Sequence, residues 1–148
     1  MIFADLIDAM VAEFAALPAL ADVTVTDGQP LSNEPGTYLF VGIDDPDSTS
    51  ADGARGAQSW PLACHSPRED EGDILLAAYA DNGEGDLKSA RDAATAVLEA
   101  VQVHVRVNQT LGVTGVQWLN FDAYRYQPMQ GHAAAALLFF NIHYLARI

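Results

Sequence analysis

The closing stretch AAAALLFFNIHYLARI, residues 133–148, alternates in a way that leaves little choice of secondary structure. Its even positions, Ala134, Ala136, Leu138, Phe140, Ile142, Tyr144, Ala146 and Ile148, make an unbroken apolar series. The odd positions begin apolar at Ala133, Ala135, Leu137 and Phe139 and turn polar at Asn141, His143 and Arg147. Successive side chains of a strand point to opposite faces, so one face of this strand is buried along its whole length and the other along only part. The buried face requires a layer packed against it, and the rest of the chain must supply that layer.

Helices are available for it. In IFADLIDAMVAEFAAL (2–17), Phe3, Leu6, Ile7, Met10, Val11, Phe14 and Leu17 recur at helical spacing, with Asp5, Asp8 and Glu13 on the other side, and Pro18 ends the run. A second helix starts after DNGEGD (81–86), with Asp86 as its N-cap, and carries Ala90, Ala94, Val97, Val101 and His104 or Val105 to about Val107. Strands fill the remainder: DVTVTDG (22–28), TYLFVGI (37–43), GAQSWPLACH (56–65) and GDILLAAYAD (72–81). Pro61 suggests an edge position or a bulge for the third, and the fourth, apolar on both faces, reads as central. GVTGVQWLNFDAYRYQ (112–127) and the closing strand form a hairpin through a short PMQG turn around Pro128 and Gly131. The order helix, four strands, helix, two strands predicts an α+β fold: a mixed, mostly antiparallel sheet of about six strands with two helices packed on it. At 148 residues the chain is read as one domain, 1–148, without internal repeats or low-complexity tracts.

Charge narrows the function. The formal net charge is −13, and no Lys or Arg precedes Arg55, so the N-terminal third is acidic without a single cation. Nucleic acid binding relies on clustered Lys and Arg that displace counterions, which disfavours tight DNA or RNA binding. No apolar run is long enough to cross a bilayer, and MIFADLIDAM carries acids where a secretory signal has basic residues, so the expectation is a protein without membrane contact that stays in the cytoplasm where it is made. Cys64 is the one cysteine, which excludes an intrachain disulfide or a multi-cysteine zinc cluster.

The candidate sites are few. VGIDDPDSTSADG (41–53) crowds Asp44, Asp45, Asp47 and Asp52 into one loop. Counted as an EF-hand from Asp45, it has Asp47 third and Thr49 fifth, but Ser50 stands where glycine is needed and Gly56 where the bidentate Glu belongs. A solvated Asp/Ser/Pro loop is the plainer reading, and no metal is expected. Cys64 and His65 are adjacent, so on a strand they point to opposite faces and cannot share a proton. His104, His132 and His143 show no metal-ligand spacing. NGEGD (82–86) lacks the third glycine and the Gly-Lys-Ser/Thr of phosphate loops, and its acids would repel phosphate. Neither a catalytic constellation nor a cofactor site emerges, and the chain is read as a structural protein rather than an enzyme.

The order and spacing of several segments carry a resemblance instead: TVTDGQPLSNEPGTYLFVGIDDPD (24–47), GAQSWPLAC (56–64), DEGDILLAAYADNGEGDLKSARDAATAVLEAV (70–101) and AALLFFNIHYLARI (135–148). Over nearly its whole length the chain resembles the tail terminator (tail completion) proteins of long-tailed bacteriophages, particularly those of actinobacteria. There a strand ending in V-G-x-D-D-P-D leads to a Q-x-W strand, an acidic turn leads to an R-x-x-A helix, and the chain closes on an A-R-I-like strand. The matching positions are Val41 to Asp47, Gln58 to Trp60, Arg91 to Ala94 and Ala146 to Ile148. AAAALLFF and the pair Cys64-His65 depart from that pattern.

The resemblance implies a virion protein of the tail or neck, assembled in the host cytoplasm. It implies a ring, usually a hexamer, that caps the tail tube, ends its polymerisation and joins it to the head, with DNA passing through the lumen without specific binding. Its partners would be further copies of itself, the tube protein and a head-completion or neck protein. On this view Asp44, Asp45, Asp47 and Asp52 face the lumen or a neighbour, and Arg91, Arg125 and Arg147 meet acids of an adjacent subunit. A second connector or tube protein is the alternative within that biology. Outside it stand a small enzyme using Cys64 and an acidic DNA mimic.

Overall fold

In the computed structural model, residues 2–29, 34–43, 53–60, 67–81, 85–130 and 134–148 are described. Two helices and a sheet of six strands follow in the expected order: α1 (Phe3–Ala15), β1 (Val23–Asp27), β2 (Gly36–Val41), β3 (Ala54–Ser59), β4 (Glu69–Asp81), α2 (Leu87–Val107), β5 (Val116–Gln130) and β6 (Ala134–Arg147). A 3₁₀ turn, Pro18–Leu20, follows α1. The fold is α+β, with a mixed sheet in the order β1-β2-β4-β6-β5 and β3 paired to β4. Only β1 and β2 run parallel; the other described pairs are antiparallel.

Local sequence explains each helix. α1 buries Leu6, Met10 and Phe14, one per turn on one side. α2 is capped by Asp86, whose carboxylate accepts from the Lys88 N–H at 3.1 Å, and it buries Ala90, Ala94, Val97, Leu98, Val101 and Val105. Val105 rather than His104 completes that stripe; His104 turns aside, its Nε2 3.2 Å from Glu13 of α1 and its ring edge-on to Phe14. The helices share one core with the even-numbered residues of β4 and β6, among them Ile74, Leu76, Ala78, Phe140, Ile142 and Tyr144.

The bounds of three strands differ from expectation. β5 starts at Val116, because Gly112 and Gly115 take positive φ and turn the chain first. It then runs on to Gln130, so Pro128 lies within the strand opposite Ala136 and is not a turn residue; an edge strand tolerates a missing N–H. β3 starts at Ala54, two residues early, whereas 61–66 lie outside the described residues. β4 starts at Glu69, three residues before the apolar run, and carries Asp70, Glu71 and Asp73 into the sheet.

β2 and β3 share one side of β4. β2 pairs with Leu76 to Asp81 and β3 with Glu69 to Ile74. Between them, Gly42 and Ile43 both donate to the Leu75 carbonyl, and the Leu75 N–H donates to Gly53. The two flanks of the aspartate-rich segment therefore meet at a single residue of β4. A side chain at Gly53 would run into the Gly42 carbonyl, which requires glycine there.

Candidate functional site

Parity along β4 and β6 divides the polar residues between two sites. Odd positions face away from the helices. There β4 pairs Asp73 with His143 and Glu69 with Arg147 across to β6. His143 Nδ1 lies 2.8 Å from Asp73 Oδ1 and its Nε2 2.9 Å from Glu71 Oε1, while the Trp118 ring from β5 sits 5.5 Å away, tilted. Partial burial works against the charged imidazole, but the two carboxylates outweigh it and raise the His143 pKa above its ordinary value. Beside it Arg147 Nε is 3.2 Å from Glu69 Oε1.

Even positions face the helices, and one of them is an acid. Asp70 is 3% exposed, with the same parity as Ile74 and Leu76. The Ile2 N–H ahead of α1 donates to one oxygen and the Tyr144 hydroxyl to the other, each at 3.2 Å. Burial and the neighbouring negative charge push the Tyr144 pKa up, which keeps it a donor. Above this pair, between the start of α1 and β3, a cavity of about 220 Å³ is lined by Phe3, Ala54, Arg55, Gly56, Gln58, Asp70 and Tyr144. A shallow apolar groove also runs between Leu17–Ala19 and the outer side of α2, where Val103 and Val107 are exposed.

The structure does not bring the sequence-derived candidates together. Arg91 is exposed on α2. Arg125 on β5 lies 4.6 Å over the Phe139 ring, and Arg147 is at the far end of β6. Asp44, Asp45, Asp47 and Asp52 lie outside the described residues, as do Cys64, His65 and His132. Among the described residues no group of three or more His, Cys, Asp or Glu side chains is arranged to hold a metal ion. Both ring nitrogens of His143 face carboxylates, so the imidazole is clamped rather than poised against a nucleophile. No helix among the described residues is long and apolar enough to cross a membrane.

Sequence reasoning missed Asp70 and the clamp around His143. The parity of Asp70 with Ile74 and Leu76 was a usable signal, since an acid in step with a buried face must find donors. The clamp left none, because its partners are separated by 70 and 72 residues.

The fold has a counterpart among solved structures. It matches a chain of the virion of a native gene transfer agent particle with a TM-score of 0.62, covering 96% of this chain and 92% of that one at 15% identity. No protein-family model matches this chain, and no curated protein matches it. At that identity the likeness is one of fold.

Proposed function

We propose that this chain is a structural subunit of a phage-like virion and that it forms the ring which ends the tail tube and joins it to the neck. The observation that carries the reading is the correspondence with a virion chain over nearly the full length of both partners. The order of segments resembling tail terminators points the same way. Function then resides in surfaces. A tube whose subunits stack head to tail always exposes the same growing interface, so something of a different outer face must cover that end. This subunit has two unlike sides: a helical layer, and an open sheet face with Glu69, Glu71 and Asp73. An acidic channel lets DNA slide past without binding.

Within this reading, Asp44, Asp45, Asp47 and Asp52 belong to the channel or a subunit contact. Arg91, exposed on α2, Arg125 on β5 or Arg147 on β6 meets acids of a neighbouring copy in this reading. Each such exposed pair adds about 1 kcal/mol or less, so buried apolar area supplies most of the cohesion.

The test is a deletion of the gene in the parent particle, followed by electron microscopy. The expected outcome is filled heads with unattached tails of uncontrolled length. Normal tails joined to heads overturn the proposal. Tails of normal length without heads move the subunit to the neck and overturn the terminator role.

A further inference from the structure

β3 stands at an open edge of the sheet that the described residues form. Among the described residues it pairs with β4 alone, and every residue from Arg55 to Trp60 is exposed. An unpaired edge offers a row of main-chain donors and acceptors to any extended segment. Which residues offer them follows from one hydrogen bond. The Leu75 N–H donates to the Gly53 carbonyl at 3.0 Å, so Gly53, and in alternation Arg55, Ala57 and Ser59, direct their main-chain groups toward β4. Ala54, Gly56 and Gln58 direct theirs outward.

Those same three residues line the cavity above Asp70. The edge that would pair with an added strand is thus continuous with a pocket that would receive one of its side chains. Gly56 keeps that pocket open, since a Cβ there would come within 2.8 Å of the Tyr144 hydroxyl and 3.0 Å of the Glu71 carbonyl. At the end of the strand Trp60 is 68% exposed, with the Arg68 guanidinium 5.5 Å over its ring. Trp and Arg at the rim of a docking edge are the residue types that dominate binding energy at interfaces.

We infer that the β3 edge docks an extended segment of another protein, and that a lysine or arginine of that segment enters the cavity toward Asp70. Strand addition of this kind takes affinity from main-chain hydrogen bonds and selectivity from pockets for alternate side chains. The carboxylate at the floor sets the chemistry. A carboxylate has about four lone-pair sites, and the neutral donors Ile2 N–H and Tyr144 hydroxyl occupy two of them. A cationic donor adds a charge-assisted bond where water is largely excluded.

Charge also argues for a foreign segment over a second copy. Lys88, Arg91 and Arg106 are on α2, Arg147 is on β6 inside the sheet, and Arg55 is on β3 itself. Arg68 stacks on Trp60, and Arg125, on the opposite edge strand, lies over Phe139. Two of the seven basic residues stand on edge strands, but Arg125 is engaged on the Phe139 ring, and antiparallel pairing of two β3 edges through Ala54, Gly56 and Gln58 turns Arg55 to the face away from the cavity. The other five lie on a helix, inside the sheet or stacked on Trp60.

The experiment screens a displayed library of random linear peptides against the full chain and against two variants. Gln58→Pro removes an outward N–H and obstructs the edge while sparing every β3–β4 bond; Asp70→Asn removes the charge but keeps an acceptor. Thermal unfolding confirms that both variants fold, and each alone decides one half of the proposal. The expected binders carry one Lys or Arg among β-branched residues, and they lose about tenfold or more in affinity against Gln58→Pro and against Asp70→Asn. Binders indifferent to Gln58→Pro overturn the docking edge. Binders indifferent to Asp70→Asn overturn the basic side chain, and a screen without binders overturns both. A self-association that Gln58→Pro abolishes makes a second copy the occupant and overturns the assignment to another protein.

Discussion

The two ends of the open sheet face are built on the same pair of strands and behave oppositely. At one end, Ala77 and Tyr79 of β4 lie opposite Phe139 and Leu137 of β6; Phe40, Ile43, Ala77 and Phe139 are buried there, with Tyr38, Leu75, Tyr79 and Leu137 packed around them. At the other end, the same strands carry Glu69, Glu71, Asp73, His143 and Arg147. What differs is the lateral neighbour. β2 brings Tyr38 and Phe40, stacked at 5.8 Å and facing Tyr79 and Ala77, and β1 shields its far side. β3 brings exposed residues and no further strand among those described. A sheet face closes over itself only where flanking strands supply bulk. Where they do not, its residues must be polar enough to face water or a partner.

The largest effect that could break this comparison lies at the aromatic end. Phe139 is buried beneath its aromatic neighbours and carries the Arg125 guanidinium on its ring. Phe139→Ala should destabilise the fold by about 3–5 kcal/mol, as loss of a buried ring and the cavity left behind require. His143→Ala, four residues along the same face, should cost about 1 kcal/mol or less. Urea unfolding of the two variants measures the contrast. Equal losses would mean that the two ends are not separate environments.

The aromatic end was legible in the sequence and the polar end was not. Ala133, Ala135, Leu137 and Phe139 announce a second covered face because period two survives in one strand and needs no partner to be read. Both helices were legible for the same reason, down to the Asp86 cap. The start of β4 was hidden, since DEGD interrupts the apolar pattern that marks a strand. Its acids make sense only once β6 lies alongside and delivers His143 and Tyr144 from 70 to 74 positions away. Register between distant strands is a property of the folded chain, and the whole candidate site depends on it. Pro128 misled in the opposite sense. A proline three residues before a glycine reads as a turn, yet an edge strand can carry it.

An effect of intermediate size sharpens the difference from beneath the polar end. Tyr144→Phe removes one of the two hydroxyl or amide donors on the buried Asp70 carboxylate while keeping the ring. A buried acceptor deprived of a partner costs about 1–3 kcal/mol, so the variant should unfold at correspondingly lower urea. Asp70→Asn should cost less, because an amide oxygen still accepts from either donor. The reverse order would mean that the charge itself, and not the hydrogen bonds, anchors the first turn of α1.

The smallest effect is the most selective, because it separates the ends by pH alone. His143 is held between Asp73 and Glu71, and they raise its pKa in the folded state above the ordinary value of about 6.5. A group whose folded pKa is raised stabilises the fold fully below its unfolded pKa, and that contribution is lost as pH rises through the folded value. The side chains of Glu71 and Asp73 are 58% and 44% exposed, so solvent screening keeps the contribution to about 1 kcal/mol or less. The parent should therefore exceed His143→Gln in melting temperature under mildly acidic conditions, and the gap should close in alkaline solution. Salt should narrow it as well, since exposed charges are screened. Phe139→Ala, in contrast, should lose the same stability from mildly acidic to neutral pH, as what it removes is apolar packing. A gap for His143→Gln that widens with pH would mean that the imidazole sits there neutral, and the clamp would then be packing rather than charge.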